Sequence, residues 1–339
     1  MANAHEIHPP SSPCRSEAKA GDILPPRPIF LAGPTAVGKS EIALCLAEKL
    51  GGEIISVDSM QVYRGLDLGT AKPTPAERVR VPHHLIDVVD LTAPFDAAKF
   101  VELARQAVTE IQSHGRVPIF CGGTGLYFKA FLEGLGEAPV GDPKLRAELE
   151  AAPLADLLRE LEQRDPVTFS KIDQKNPRRV IRAVEVIRLT GKPFSALRAP
   201  WGEADTVGSS RCDDRTAQRA VLTILALTRK QEDLHARINV RVDKMFAAGL
   251  VEETRRLLNH GLEQNKTAMQ AIGYRQVVEH LRGARSLSET IELVKTKTRQ
   301  FAKRQMTWFR KHASLQWIEL MCDDSPASVV ALVKARLTE

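Results

Sequence analysis

The octet Gly33-Pro34-Thr35-Ala36-Val37-Gly38-Lys39-Ser40 leaves the surrounding chain little freedom. Two glycines with four residues between them, followed by Lys and Ser, form the pattern of a phosphate-binding loop, which works only between a strand and a helix. Both flanks are present: Ile29, Phe30 and Leu31 make an apolar run entering the loop, and residues 41–50 carry Ile42, Leu46 and Leu50 at helical spacing. The residue types follow from the task. Backbone N–H groups that converge on a phosphate leave no room for Cβ atoms, hence Gly33 and Gly38. Lys39 adds a point charge. Ser40 offers a hydroxyl to a Mg²⁺ ion bridging phosphate oxygens, and the next helix turns its positive dipole end to the anion. The loop specifies a phosphate chain, not what becomes of it.

A chain of 339 residues can bury a large core, and by length it divides into about two domains. Its 43% hydrophobic and 27% charged content is that of a globular protein. No apolar run nears the ~20 residues of a membrane span, and residues 1–27 lack the apolar centre of a secretory signal, so a cytoplasmic protein without a membrane partner is expected. That first segment, with Pro9, Pro10, Ser11, Ser12, Pro13, Pro25 and Pro26, reads as a flexible tail. Cys14, Cys45, Cys121, Cys212 and Cys322 are scattered, with neither disulfide nor zinc spacing. The net charge of +6 is concentrated: residues 293–318 hold no Asp or Glu but contain Lys295, Lys297, Arg299, Lys303, Arg304, Arg310 and Lys311. A second cluster is Lys175, Arg178, Arg179 and Arg182. One basic run is usually a solvated helix face, but two beside a phosphate loop point to a polyanion.

In chain order, residues 53–57 read as a buried parallel strand whose carboxyl end carries Asp58, where α/β folds bind ligands. An isolated Asp there could equally cap a turn. Residues 61–73, with two glycines and no long periodic run, read as an ordered functional loop. A third strand is expected over residues 85–89, with His83 and His84 before it unassigned. Residues 95–114 carry Phe100, Leu103, Ala107 and Ile111 for one buried helical face. Residues 117–121 form a fourth strand, running into the Gly-rich turn Gly122-Gly123-Thr124-Gly125. Residues 140–213 read as a helical insertion with helices over 143–150, 154–164 and 178–189, and residues 201–214 as a polar loop. A strand over 221–227 restores the sheet. Residues 234–260 give one helix, or two meeting near Gly249, residues 289–312 a long helix, and residues 315–320 a last short strand. The expected fold is α/β: a P-loop NTPase-like parallel sheet flanked by helices, with a tail (1–27), a core in two parts (28–139 and 214–339) and the insertion (140–213). Of the adjacent Trp308 and Phe309, one helix face can bury only one.

Taken together, GPTAVGKS, ISVDSMQVYRGLDLGTAKP, PHHLID, GGTGLYFKA, NPRRVIRAVEV, AIGYRQ and KRQMTWFRK resemble the tRNA dimethylallyltransferases, the bacterial tRNA isopentenyltransferase family, over residues 28–320. The tail lies outside that pattern, as does the zinc-finger extension of eukaryotic relatives. The resemblance implies transfer of a dimethylallyl group from dimethylallyl diphosphate to the exocyclic amine of the adenosine 3′ of the anticodon, in tRNAs reading codons that begin with U. It implies Mg²⁺ and the anticodon stem-loop of tRNA as partners, and a monomer. It implies a diphosphate held by Gly33, Pro34, Thr35, Ala36, Val37, Gly38, Lys39 and Ser40, with Asp58 as general base and Thr124 holding the base or diphosphate. The tRNA contacts it implies are Asp58, Ser59, Met60, Gln61, Arg146, Arg178, Arg179, Val180, Ile181, Arg182, Gln270, Ala271, Ile272, Gly273, Tyr274, Arg275, Lys303, Arg304, Gln305, Met306, Thr307, Trp308, Phe309 and Arg310.

The chemistry suits these residues without the resemblance. An adenine amine is a weak nucleophile, so a carboxylate must take its proton during attack, and Lys39 with the loop amides matches the charge growing on a departing diphosphate. The phosphate loop alone would also serve an RNA-stimulated ATPase or a small-substrate kinase, with Asp87 or Asp90 as the Mg²⁺-binding acid. An RNA-binding module with a vestigial nucleotide site is a third reading, against which the intact Lys39 and Ser40 stand.

Overall fold

The structure, a computed structural model, describes residues 26–197, 224–311 and 315–338. The expected tail over most of 1–27, the polar loop at 201–214 and the start of the 221–227 strand lie outside the described residues. The first half of the core runs β1 (Ile29–Ala32), α1 (Lys39–Leu50), β2 (Gly52–Val57), α2 (Pro75–Arg80), β3 (His83–His84), α3 (Ala97–Ser113), β4 (Val117–Gly122) and α4 (Gly125–Glu133). Helices α5 (Pro143–Ala151), α6 (Leu154–Arg164), α7 (Pro166–Lys171), α8 (Pro177–Thr190) and α9 (Phe194–Leu197) follow. The chain returns through β5 (Ile224–Arg229), α10 (Gln231–Ala247), α11 (Leu250–Leu258), α12 (Tyr274–Leu281), α13 (Leu287–Arg310), β6 (Leu315–Leu320) and α14 (Pro326–Thr338).

The strands form one parallel sheet in the order β3-β2-β4-β1-β5-β6. Its central strands are apolar on both faces because helices cover both, as in all-parallel sheets generally. Phe30, Ile55 and Phe120 face one layer with α3, α4, α11 and α12, and Phe30 stacks on Phe120 with ring centroids 4.8 Å apart. Ile29, Leu31, Ile119 and Leu227 face the other, which holds Ile42 and Leu46 of α1, Ile238 of α10 and Val330 of α14. Helices α5, α6 and α8 of the insertion bury their own cluster of Leu149, Leu157, Leu161, Val180, Val184 and Ile187.

The third strand is not at residues 85–89: β3 is His83–His84, and the chain turns off the sheet at Leu85 (φ 61°) and Asp87 (φ 56°). Leu85 and Ile86 are buried as anchors of that turn, so their apolar side chains mimic a strand without forming one. Strand β5 runs on to Arg229, two residues past the expected end. Sequence reasoning placed no helix at α2, α4, α7 or α9. Of the two alternatives for residues 234–260, the structure takes two helices, α10 and α11, meeting at Gly249 (φ 100°).

Candidate active site

Because β2, β4 and β1 are neighbours, the segments that leave their carboxyl ends line up: Asp58, the turn at Thr124, then the phosphate loop. The turns are stitched together, Thr124 N–H donating to Val57 O (3.2 Å). In the loop, Gly33 has φ 146°, and a Cβ there would stand 2.7 Å from Leu227 O. Arginines from the far side fix its carbonyls: Arg229 Nε donates to Val37 O (2.9 Å) and Arg237 Nε to Ala36 O (3.0 Å). The N–H groups of Gly38, Lys39 and Ser40 have no hydrogen-bond partner among the described residues, as expected at an open helix N-terminus. An open terminus with unpaired amides is suited to an anion.

Lys39 is half-buried, its Nζ 2.6 Å from Pro34 O. Burial lowers its pKa to about 8, with Cys121 opposing, Arg241 adding to the shift and Asp58 opposing it. Arg241, on α10, is a second cation in the same space. Burial lowers its pKa too, Asp58 opposes, and its guanidinium has no hydrogen-bond or ion-pair partner among the described residues. Nothing in the local sequence singles out Arg241 among α10's charged residues, and only the crossing of α10 behind the loop does.

Asp58 Oδ1 accepts the N–H groups of Met60 (2.8 Å) and Gln61 (3.3 Å), closing a turn that fixes the carboxylate. Its Oδ2 has no partner among the described residues. Gln61 is tied on both sides: Ser56 Oγ donates to its Oε1 (2.8 Å), and its Nε2 donates to Thr70 O (3.1 Å) and Ala71 O (3.3 Å). Two other groups that feel the Asp58 charge cannot compete as bases, since burial pushes Cys121 up to about 11 and raises Tyr127 as well.

The remaining predicted contacts divide by exposure. Arg178, Arg179, Gln270, Arg275, Lys303, Arg304, Thr307 and Arg310 are exposed, and Ser59, Ile181, Ile272, Met306 and Trp308 half-buried. Arg275, Lys297 and Arg304, with Gln270 and Gln300, line a cleft of about 510 Å³ between α12 and α13. Val180, Ala271, Gly273, Tyr274 and Phe309 are buried and offer a tRNA no side-chain surface; the first two and last two fill the core, and Gly273 (φ 105°) starts α12. Gln305 is also buried, turned to the phosphate loop. Arg146 and Arg182 share the fully buried Glu185 (Arg182 NH1 at 2.6 Å) and so brace α5 to α8 while keeping one edge outward. In the 61–73 loop Lys72 is not a phosphate ligand. Its side chain is 2% exposed and its Nζ binds Tyr63 O (2.6 Å), Asp67 (2.7 Å) and Asp87 (2.5 Å).

The acids that a kinase or ATPase would need for a metal are engaged. Asp87 pairs with Lys72 and Arg78, whose bonds outweigh its partial burial and hold its carboxyl below the usual range, and Asp90 pairs with Arg64. No group of three His, Cys, Asp or Glu able to hold a metal occurs among the described residues. Ser40 is exposed beside the open amides, and its hydroxyl has no partner among the described residues. That donor set fits Mg²⁺, which takes few protein ligands and completes its shell with phosphate oxygens and water. No helix of the described residues is long and apolar enough to cross a membrane.

Comparison with known proteins places this geometry. The IPP transferase family matches residues 61–312. A tRNA dimethylallyltransferase of Geobacter metallireducens is 46% identical over 297 residues, 86% of this chain and 92% of the relative. One of Pelotomaculum thermopropionicum is 41% identical over 315 residues, 92% and 96%. Among solved structures, the tRNA isopentenylpyrophosphate transferase of Bacillus halodurans is 37% identical with TM-score 0.64, covering 93% of this chain and 97% of its own. A eukaryotic dimethylallyltransferase, caught acting on tRNA, is 27% identical with TM-score 0.71, covering 92% and 80%. The parallel sheet with its flanking helices is thus the P-loop NTPase-like fold of those neighbours.

Proposed function

This chain belongs to the IPP transferase family, enzymes that prenylate tRNA, and from that premise we propose its particular reaction: transfer of the dimethylallyl group of dimethylallyl diphosphate to the N6 amine of the adenosine 3′-adjacent to the anticodon, in tRNAs reading UNN codons. The observation that carries the reading is the free Oδ2 of Asp58 held one strand away from the Thr124 turn and two from an open phosphate loop.

The steps follow from what each group can do. The loop amides, Lys39 and Arg241 bind the diphosphate, and their charge is matched to the charge that grows as the C1–O bond breaks. The amine nitrogen forms the new bond to C1, its proton passes to Asp58 Oδ2, and the bond electrons leave with the diphosphate. Mg²⁺, when bound at Ser40, supplies further positive charge to the phosphate oxygens. Thr124, at the start of α4, stands between the two ends of the reaction, positioned to hold base or diphosphate. The adenine must leave its stack to reach Asp58, which costs least in an anticodon loop. Arg178, Arg179, Lys303, Arg304 and Arg310 are the exposed cations suited to the loop backbone. The enzyme works in this reading as a cytoplasmic monomer.

The test is to incubate the chain with dimethylallyl diphosphate and unmodified tRNA, then digest the RNA to nucleosides. The reading expects one prenylated adenosine per tRNA, modified at N6 and next to the anticodon. Modification at another nucleotide, or none, would overturn it.

A further inference from the structure

Gln305 falls within the stretch whose neighbours suit tRNA, but the fold turns it the other way. Its side chain is 8% exposed, enclosed between the two Gly-rich segments of the crevice. Thr35 N–H of the phosphate loop donates to Gln305 Oε1 (2.8 Å), and Gln305 Nε2 donates to Gly123 O (2.9 Å) in the turn that carries Thr124. The partners fix which end is which, because an N–H can only face the oxygen and a carbonyl can only face the nitrogen. The space is closed as well: a Cβ on Gly123 would lie 2.2 Å from Nε2. Trp308, one turn on, covers Gly125 so closely that a Cβ there would meet its ring at 2.1 Å. On the same helix Lys303 and Arg304 are exposed.

We infer that Gln305 is a positioning residue for prenyl transfer: its amide sets the gap between the diphosphate loop and the Thr124 turn, and ties both to the helix whose outer face meets the RNA. The inference rests on the transfer reaction proposed above. Gln305 touches neither substrate. It acts by holding Thr35 and Gly123 at one separation, so that the allyl carbon and the amine meet at attacking distance, where displacements of about 1 Å cost up to ~10²-fold in rate. A tRNA-contacting glutamine would behave differently, since losing it would weaken tRNA binding and leave the chemical step intact.

Two variants decide. Gln305→Met keeps the volume and removes both hydrogen bonds. Gln305→Glu keeps the acceptor for Thr35 N–H but turns an oxygen toward Gly123 O, a repulsion relieved only when the carboxyl is protonated and its O–H can donate as the amide did. With the parent transferring to tRNA, we expect Gln305→Met to lower single-turnover transfer about 10- to 100-fold at saturating substrates, tRNA KM changing less than about threefold. Gln305→Glu should recover rate as pH falls, on a limb the parent lacks, while circular dichroism shows both variants folded at the assay temperature. Should Gln305→Met unfold, Gln305→Glu alone carries the test, because a structural role would shift its melting temperature without adding a pH limb to the rate. A raised tRNA KM with unchanged single-turnover rate would make Gln305 an RNA contact and overturn the inference, as would parent-like rates in both variants across pH. Failure of the parent itself to transfer would instead sink the proposed reaction, so the two failures are distinct.

Discussion

Lys39 is the residue whose charge state most affects the site. With a pKa of about 8 it is mostly protonated at pH 7, half-protonated at pH 8 and largely neutral above pH 9. A bound diphosphate favours the ammonium and raises the pKa, so binding above pH 8 must take up a proton. Affinity for dimethylallyl diphosphate should therefore fall about twofold from pH 7 to 8 and steepen toward tenfold per unit well above, the last phosphate ionisation at about 6 being complete. Titration calorimetry of the parent and of Lys39→Ala checks this; the variant should bind more weakly and show no break, and a parent profile flat to pH 9.5 would remove Lys39 from the anion site. Asp58→Asn keeps the turn to Met60 and Gln61 through its amide oxygen but cannot take a proton. It should bind both substrates and transfer ~10²–10⁴-fold more slowly in a single turnover. Parent-like transfer from the preformed complex would assign the base elsewhere.

Elements explain what sequence could and could not reveal. The phosphate loop, α1, β2, β4 and α6 were legible because their signals are local: glycines forced by backbone approach, and apolar residues at the period of a helix or a strand. Leu85–Ile86 were misread because burial in a turn and burial in a strand look alike until the positive φ at Leu85 and Asp87 is seen. Arg241 was illegible as a site residue, and Gln305 was named only as an RNA contact, because their placement depends on where α10 and α13 cross the loop, which no spacing encodes. The loop 61–73 shows the same dependence on tertiary packing. Glu253 of α11, buried, accepts Leu68 N–H (3.0 Å) and the Tyr274 hydroxyl (2.6 Å), and that hydroxyl accepts Gly69 N–H (3.1 Å). A Cβ at Gly69 would stand 2.5 Å from the Tyr274 ring, so Gly69→Ala should displace the loop that Gln61 braces. We expect lower single-turnover transfer with diphosphate affinity near the parent's; equal transfer would show that the loop does not position Asp58. For α13, neutralising Lys303 and Arg304 to Gln should weaken tRNA binding and reduce its salt slope by roughly 0.7 per lost phosphate contact, with diphosphate affinity unchanged. A full slope in the double variant would make them ordinary solvated surface.

At the scale of the molecule, the strand order brings the phosphate loop and Asp58 out at the same edge of the sheet with the Thr124 turn between them, and α8 and α13 carry exposed basic residues. The insertion keeps its own core, so its integrity separates from that of the crevice. Leu161→Ala, at a position with no exposed surface, should cost about 2–5 kcal/mol by cavity formation and lower tRNA affinity more than diphosphate affinity. Equal losses in both would mean that the insertion and the crevice unfold as one. The account's central claim is that phosphate loop and Asp58 together perform transfer, not hydrolysis or phosphorylation. It is tested most directly by following pyrophosphate release and label incorporation in one reaction of the whole chain with labelled dimethylallyl diphosphate, with and without unmodified tRNA. The account predicts one pyrophosphate for each label entering RNA and almost none when tRNA is withheld. Pyrophosphate release without label in the RNA, or tRNA-stimulated ATP turnover with no prenyl transfer, would contradict it.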